Sequence, residues 1–183
     1  MTATSERYAR LADQMAERIA AVPADGWDAP TPCEGWTARD LLDHLIDGPS
    51  HFFGRIGLDP LPPGPDRGED PEGAFTHVAR AVQAGLEDPT IAATEFDSPL
   101  GPQTFEGAVG EFICGDLVVH QWDLARATGQ DETLDPDEVR NMHASLLPLD
   151  EVLRRPGVFG PKVEPPADAD EQTAFLAFLG RQV

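Results

Sequence analysis

Apolar residues recur at helical spacing in four long stretches of the chain. Over residues 4–22, Tyr8, Leu11, Ala12, Met15, Ile19 and Val22 form one stripe, with Glu6, Arg10, Asp13, Glu17 and Arg18 largely outside it. Pro23 and Gly26 end that helix, and the Pro-rich residues 23–36 form a connection that Trp27 and Trp36 are expected to pin onto the helices. Thr37-Ala38-Arg39-Asp40 has the spacing of an N-terminal capping box, so a second helix is predicted over 37–56, with Leu41, Leu45, Gly48 and Phe52 inward and a bend at Gly48-Pro49. Residues 57–70 hold four Pro and three Gly and read as a loop, either a lid or slack chain. Asp70-Pro71-Glu72 then starts a third helix that runs to about Leu86 and turns Phe75, Val78, Ala79 and Val82 inward.

Residues 88–103 are expected to be non-helical, an excursion with a Ser98-Pro99-Leu100-Gly101-Pro102 turn and at most a small hairpin. Thr104 caps the fourth long helix, which Gly129 ends. Its first half places Phe105, Val109, Phe112 and Ile113 on one stripe, followed by Leu117 and Leu124. Asp116, His120, Asp123 and Ala127 continue that stripe at helical spacing. A further helix from Asp135 to about Pro148 turns Val139, Met142, Leu146 and Leu147 inward, residues 155–170 are Pro/Gly-rich, and Asp170 to Leu179 closes the chain as a short helix. Helices that each carry one apolar stripe bury it against one another. The expected fold is all-α: an up-down four-helix bundle with a C-terminal helical and Pro-rich extension, forming a single domain over 1–183.

Charge narrows the partners. With 13 basic against 33 acidic residues the net charge is −20, and Lys162 is the one lysine. That argues against nucleic acid or an anionic membrane, which need clustered cations. No stretch approaches the ~20 apolar residues of a membrane span, and the N-terminus lacks a secretory pattern. Cys33 and Cys114 make neither a disulfide framework nor a CxxC pair; they suit a reducing cytoplasm and read as small packed residues.

Three acid–histidine pairs stand at i, i+4: Asp40/His44, Asp47/His51 and Asp116/His120. With 33 acids in 183 residues and five His, about one such pair is expected by accident, so spacing alone decides nothing. Position in the apolar pattern discriminates better. Asp40 is explained by its cap, and Asp47/His51 is intermediate. Asp116 and His120 lie among Ile113, Leu117, Val118, Val119 and Leu124, where an ionisable group needs a partner or a metal. Two ligands at i and i+4 share one ion, and a third from another helix leaves a coordination position open. His44, beside Leu41 and Leu45, is the best third ligand. Such a set suits zinc, nickel or ferrous iron. Asp123 either holds an imidazole from behind or caps a neighbouring loop. The residues alone leave open a buried His–Asp hydrogen-bond pair without metal.

The chain resembles the DinB/YfiT-like metal-binding superfamily, and within it the small actinobacterial-type proteins similar to the N-terminal domain of mycothiol-dependent maleylpyruvate isomerase. Thr31-Pro32-Cys33-Glu34-Gly35-Trp36-Thr37-Ala38-Arg39-Asp40-Leu41-Leu42-Asp43-His44 carries the likeness, with Asp116 to Gly129, Val158-Phe159-Gly160-Pro161 and Leu176 to Gly180. The resemblance implies a four-helix bundle, commonly a homodimer, holding a divalent metal on His44, Asp116 and His120. The isomerase has Glu where this chain has Asp116, and many superfamily members use three His. The isomerase also has a further C-terminal domain that contributes to its active site, whereas residues 130–183 read here as a helix, an arm and a short cap. This argues against maleylpyruvate isomerisation itself.

The expected function is therefore a divalent-metal protein, zinc first, acting as a thiol S-transferase or isomerase. A low-molecular-weight thiol such as mycothiol would be co-substrate and a small-molecule electrophile its acceptor. His51 would move a proton if the second helix stays straight, and is otherwise a surface residue at the helix end. A metal-dependent hydrolase and a non-catalytic metal- or ligand-binding module are the alternatives.

Overall fold

The structure, a computed structural model, describes residues 1–98, 101–154 and 160–183. Its helices in chain order are α1 (Ala3–Ala20), α2 (Ala38–Arg55), α3 (Pro71–Glu87), α4 (Pro89–Ala92), α5 (Phe105–Ala108), α6 (Cys114–Thr128), α7 (Pro136–Leu146), α8 (Asp150–Leu153) and α9 (Glu171–Phe178). Among the described residues the fold is all-α apart from one two-stranded pair, β1 (Glu95–Ser98) against β2 (Gly101–Thr104), antiparallel with Glu95 opposite Thr104. None of the described helices is long and apolar enough to cross a membrane.

The starts of the helices are set by the residues that precede them. Thr37 and Asp40 form the reciprocal capping box on α2, Asp70 accepts from the Gly73 amide on α3, and Asp135 and Asp170 do the same for α7 and α9. α2 continues unbroken through Pro49, and the neighbouring Ser50 hydroxyl donates to the Ile46 carbonyl at 2.8 Å. Residues 88–103 are not wholly non-helical: Asp88 accepts from the amides of Thr90 and Ile91 and opens the single turn α4 with Pro89 at its first position. Of the expected Ser98–Pro102 turn, Pro99 and Leu100 lie outside the described residues, as do Val158 and Phe159 of the Val158–Pro161 stretch.

α1 packs on α3 and α6, and α2 packs on the same two helices. This sets α1 and α2 at opposite corners of the bundle, so the 23–36 connection has to cross from one to the other. Trp27 on that connection is buried and Trp36 half-buried, as expected of residues that pin it. The core is the set of stripes read from the sequence: Leu11, Met15, Leu41, Val82, Phe105 and Leu117 are all at most 2% exposed.

The fourth long helix departs from its predicted phase. Residues Val109–Ile113 form a π-turn between α5 and α6. A π-turn holds an extra residue and rotates everything beyond it. Phe112, expected inward, is exposed, and Asp116 is exposed as well. Beyond the π-turn every residue from Leu117 to Ala125 is buried. α6 is covered by the bundle on one side and by α7, the 23–36 connection and the chain end on the other, so it has no polar face for a stripe analysis to find. Gly129 ends α6 in the left-handed conformation, φ 71°, which glycine adopts without steric cost.

α7 also departs from expectation. Leu147 is exposed, and the buried residue that the apolar pattern missed is Glu138. Its carboxylate accepts from Arg7 (2.9 Å from Nε, 2.7 Å from Nη2) and from Arg10 Nη2 (2.6 Å), tying α7 to α1. Burial pushes the Glu138 pKa up, but the two guanidinium groups outweigh it and leave the pKa below the ordinary value. Glu138→Gln is therefore expected to cost about 1–3 kcal/mol at neutral pH, discounted for the solvent exposure of both arginines. The lowered pKa makes the contribution complete above the ordinary Glu value and lost as pH falls through the folded-state value. Urea denaturation of both proteins should show the gap at pH 7 and its narrowing as pH falls below the ordinary Glu value.

Candidate metal centre

Three residues chosen from the sequence meet at the junction of α2 and α6. One ligand atom each from His44, Asp116 and His120 lies within 4.8 Å of the others. His44 Nε2 is 3.3 Å from Asp116 Oδ2, and the two imidazoles meet edge to face with centroids 5.1 Å apart. The hydrogen bond to Asp116 raises the His44 pKa against the opposing effect of burial. Trp36 covers the pair, 5.1 Å from the His44 ring and 6.1 Å from His120, on which it stacks. A tight turn brings it there: the Thr31 amide and hydroxyl both donate to the Trp36 carbonyl, and Gly35 at φ 78° allows the reversal.

Behind His120 the chain builds a buried charge cluster. His120 Nδ1 lies 2.9 Å from Asp123 Oδ2. An ionised carboxylate only accepts, so Nδ1 donates this bond, which leaves Nε2 as the ring nitrogen turned toward His44 and Asp116. Asp123 is fully buried and accepts two bonds from Arg181, 3.2 Å from Nε and 2.8 Å from Nη2. Burial alone would push this carboxyl up; His120 and Arg181 hold it at about 2. Asp123 thus takes the first of the two roles read from the sequence, holding an imidazole from behind.

Cys33 completes the cluster, its thiol donating to Asp123 Oδ2 at 3.4 Å. Cys33, His120 and Asp123 also gather potential ligand atoms within 4.8 Å. The Arg181 guanidinium occupies that space, however, 3.6 Å from the sulfur. Burial and the Asp123 charge push the Cys33 thiol up to about 12. A protonated thiol beside a fixed cation suits a hydrogen-bond network, while of the other three donors His44 and Asp116 line a cavity.

His51 does not join the site. It is exposed and does not line the cavity in front of His44. Seven residues is just short of two helical turns, which sets His51 about 20° back from His44 toward solvent. Leu45, Gly48 and Phe52, which do line the cavity, rotate the other way. Asp47 is engaged elsewhere, paired with Arg67 at 2.8 Å.

Arg181 is the residue the sequence reading missed. Gly180 (φ 89°) follows α9, and the amides of Gly180 and Arg181 bond back to the carbonyls of Ala177 and Leu176. These are the two reverse bonds of a glycine-ended helix. A side chain at Gly180 would meet the Pro161 carbonyl at 2.9 Å. Helix-then-glycine was legible as a stop; that the next side chain returns to α6 depended on tertiary packing.

The model of the mycothiol maleylpyruvate isomerase N-terminal domain family matches residues 8–125. Two uncharacterized proteins of Mycobacterium tuberculosis, from strains CDC 1551 / Oshkosh and ATCC 25618 / H37Rv, are each 33% identical over 183 residues. The match spans 96% of this chain and 96% of each relative. No solved structure matches. The matched segment contains His44, Asp116, His120 and Asp123; Arg181 lies beyond it.

Removing the guanidinium leaves the buried Asp123 charge with only His120 and the Cys33 thiol as partners. Arg181→Met is expected to destabilise the fold by about 3–5 kcal/mol, and Arg181→Lys by less. In urea denaturation the Asp123→Asn/Arg181→Met double variant should lose less than the sum of the single variants, because the unpaired charge is then gone.

Proposed function

The chain belongs to the mycothiol maleylpyruvate isomerase N-terminal domain family, and from that premise we propose that it is a metal-dependent thiol enzyme. His44, Asp116 and His120 would hold a divalent ion, zinc first, with nickel or ferrous iron as alternatives. The carrying observation is the convergence of these three donors from two helices on one point at the wall of a cavity, with Asp123 fixing the outer nitrogen of His120. The donor set fits such an ion: two imidazoles and a carboxylate, leaving a position open.

A cation bound there would lower the pKa of an incoming thiol and favour the thiolate at neutral pH. The protein's own groups do the rest. Asp123 and Arg181 hold the His120 ring in one orientation, and Trp36 covers both imidazoles. The cavity wall of Leu45, Phe52 and Phe75 keeps water from the electrophile. The thiol proton leaves to solvent, an S–C bond forms, and the electron pair settles on the electrophile or departs with its leaving group. Retention of the S–C bond is S-transfer; re-expulsion of the sulfur after rotation is isomerisation. A low-molecular-weight thiol such as mycothiol is the co-substrate, and a cytoplasmic setting follows from it.

Protein purified without a nickel column is expected to carry about one divalent ion per chain, as three converging donors imply. Asp116→Ala and His120→Ala should lose it, with folding followed by circular dichroism. Wild-type metal content in both variants would refute the site. Asp123→Asn should weaken the metal by about 10–100-fold. Metal-replete protein should conjugate mycothiol to members of an electrophile panel. Ester hydrolysis without thiol would instead identify a hydrolase, and bound metal without turnover a binding module.

A further inference from the structure

The cavity beside His44 and Asp116 has a volume of about 230 Å³ and walls mostly of carbon, Phe52 and Phe75 among them. It runs along one face of α2, which lines it with His44, Gly48, Phe52 and Arg55, spaced by four, four and three residues. His44 and Arg55 are therefore three turns apart, about 16 Å along the helix. The ligand cluster stands at one end of the cavity and a guanidinium at the other.

Arg55 is unusual in this protein. The chain carries −20 net charge, and nearly every described basic side chain has been claimed by an acid or a carbonyl. Among the described residues Arg55 and Arg80 have neither an ion pair nor a side-chain hydrogen bond, and of the two only Arg55 lines the cavity. Its place in the last turn of α2 is favoured by the helix dipole, which supplies no counter-ion. A second polar group is also unclaimed. Tyr8 lines the same cavity and is 2% exposed, yet its hydroxyl has no hydrogen-bond partner among the described residues. The oxygen is not among the fully buried orphan atoms, so it stays open to a partner in the cavity.

We propose that this cavity binds an elongated organic acid with an apolar body. Its carboxylate pairs with Arg55, a carbonyl or hydroxyl on the body meets the Tyr8 hydroxyl, and its far end lies against His44 and Asp116. The orientation of that far end rests on the proposed function; the recognition of the acid does not. The walls desolvate the apolar body, Arg55 supplies the counter-charge that an acidic protein otherwise lacks, and Tyr8 fixes the depth of insertion.

The test is a calorimetric titration of the full chain with unreactive probes: 4-oxo-4-phenylbutyrate, its primary amide, and 4-phenylbutyrate, which lacks the ketone. The oxo acid is expected to bind about tenfold tighter than the amide, the discrimination one charge-assisted contact at an exposed arginine provides. Arg55→Gln should abolish that preference and Arg55→Lys keep part of it. Tyr8→Phe should weaken the oxo acid while leaving 4-phenylbutyrate unchanged. Equal binding of acid and amide, binding of neither probe at millimolar concentration, or a preference that survives Arg55→Gln overturns the proposal. A preference lost on chelator treatment but retained in Arg55→Gln would place the carboxylate at the ligand cluster and overturn it too. If the protein proves metal-free, the acid preference is still expected, so the two proposals fail separately.

Discussion

The site depends on one buried carboxylate. Asp123 has no solvent contact, and an unpaired charge in that position would cost several kcal/mol. Three segments far apart in sequence meet it: the Cys33 thiol from the connection between α1 and α2, His120 from one turn earlier on α6, and Arg181 from beyond α9. Satisfying Asp123 thus folds the chain end and the crossing connection onto the same stretch of α6. The same contacts fix the His120 ring, whose free nitrogen then points at His44 and Asp116. One network thus carries both a share of the stability and the orientation of the His120 ring.

Burial divides the candidate donors by role. His120 is held rigid within the network, while His44 is half-buried and Asp116 exposed at the cavity wall. Asp116 thereby keeps an open side toward the cavity. The π-turn at Val109–Ile113 achieves this by rotating α6 relative to a continuous α-helix begun at Phe105. Such turns recur at functional positions, and here it moves Asp116 outward while leaving His120 and Asp123 inside.

The long helices and their ends were legible because the signals are local: a stripe of apolar residues, a capping Thr or Asp, a Pro in the first turn, a Gly after the last. Asp116 and His120 were selected on the premise of one unbroken apolar stripe and His44 as a third donor from another helix, and the structure brings the three together. The premise held for His120 and failed for Asp116, which is exposed because of a π-turn that no single residue announces. His51 shares a face with His44 by count, yet a rotation of about 20° places it outside the cavity. Glu138 and Arg181 have partners more than 50 residues away, and a buried ion pair of that kind leaves no periodic trace.

X-ray absorption at the zinc edge tests the account most directly, using protein loaded with zinc and then exposed to a low-molecular-weight thiol. Before thiol, the spectrum should show only nitrogen and oxygen near 2.0–2.1 Å, with imidazole scattering from His44 and His120. After thiol, one sulfur should appear near 2.3 Å. A sulfur already present before thiol, and lost in Cys33→Ser, would place the ion in the Cys33–His120–Asp123 cluster and contradict the site argued for. An unchanged spectrum after thiol would contradict the proposed chemistry.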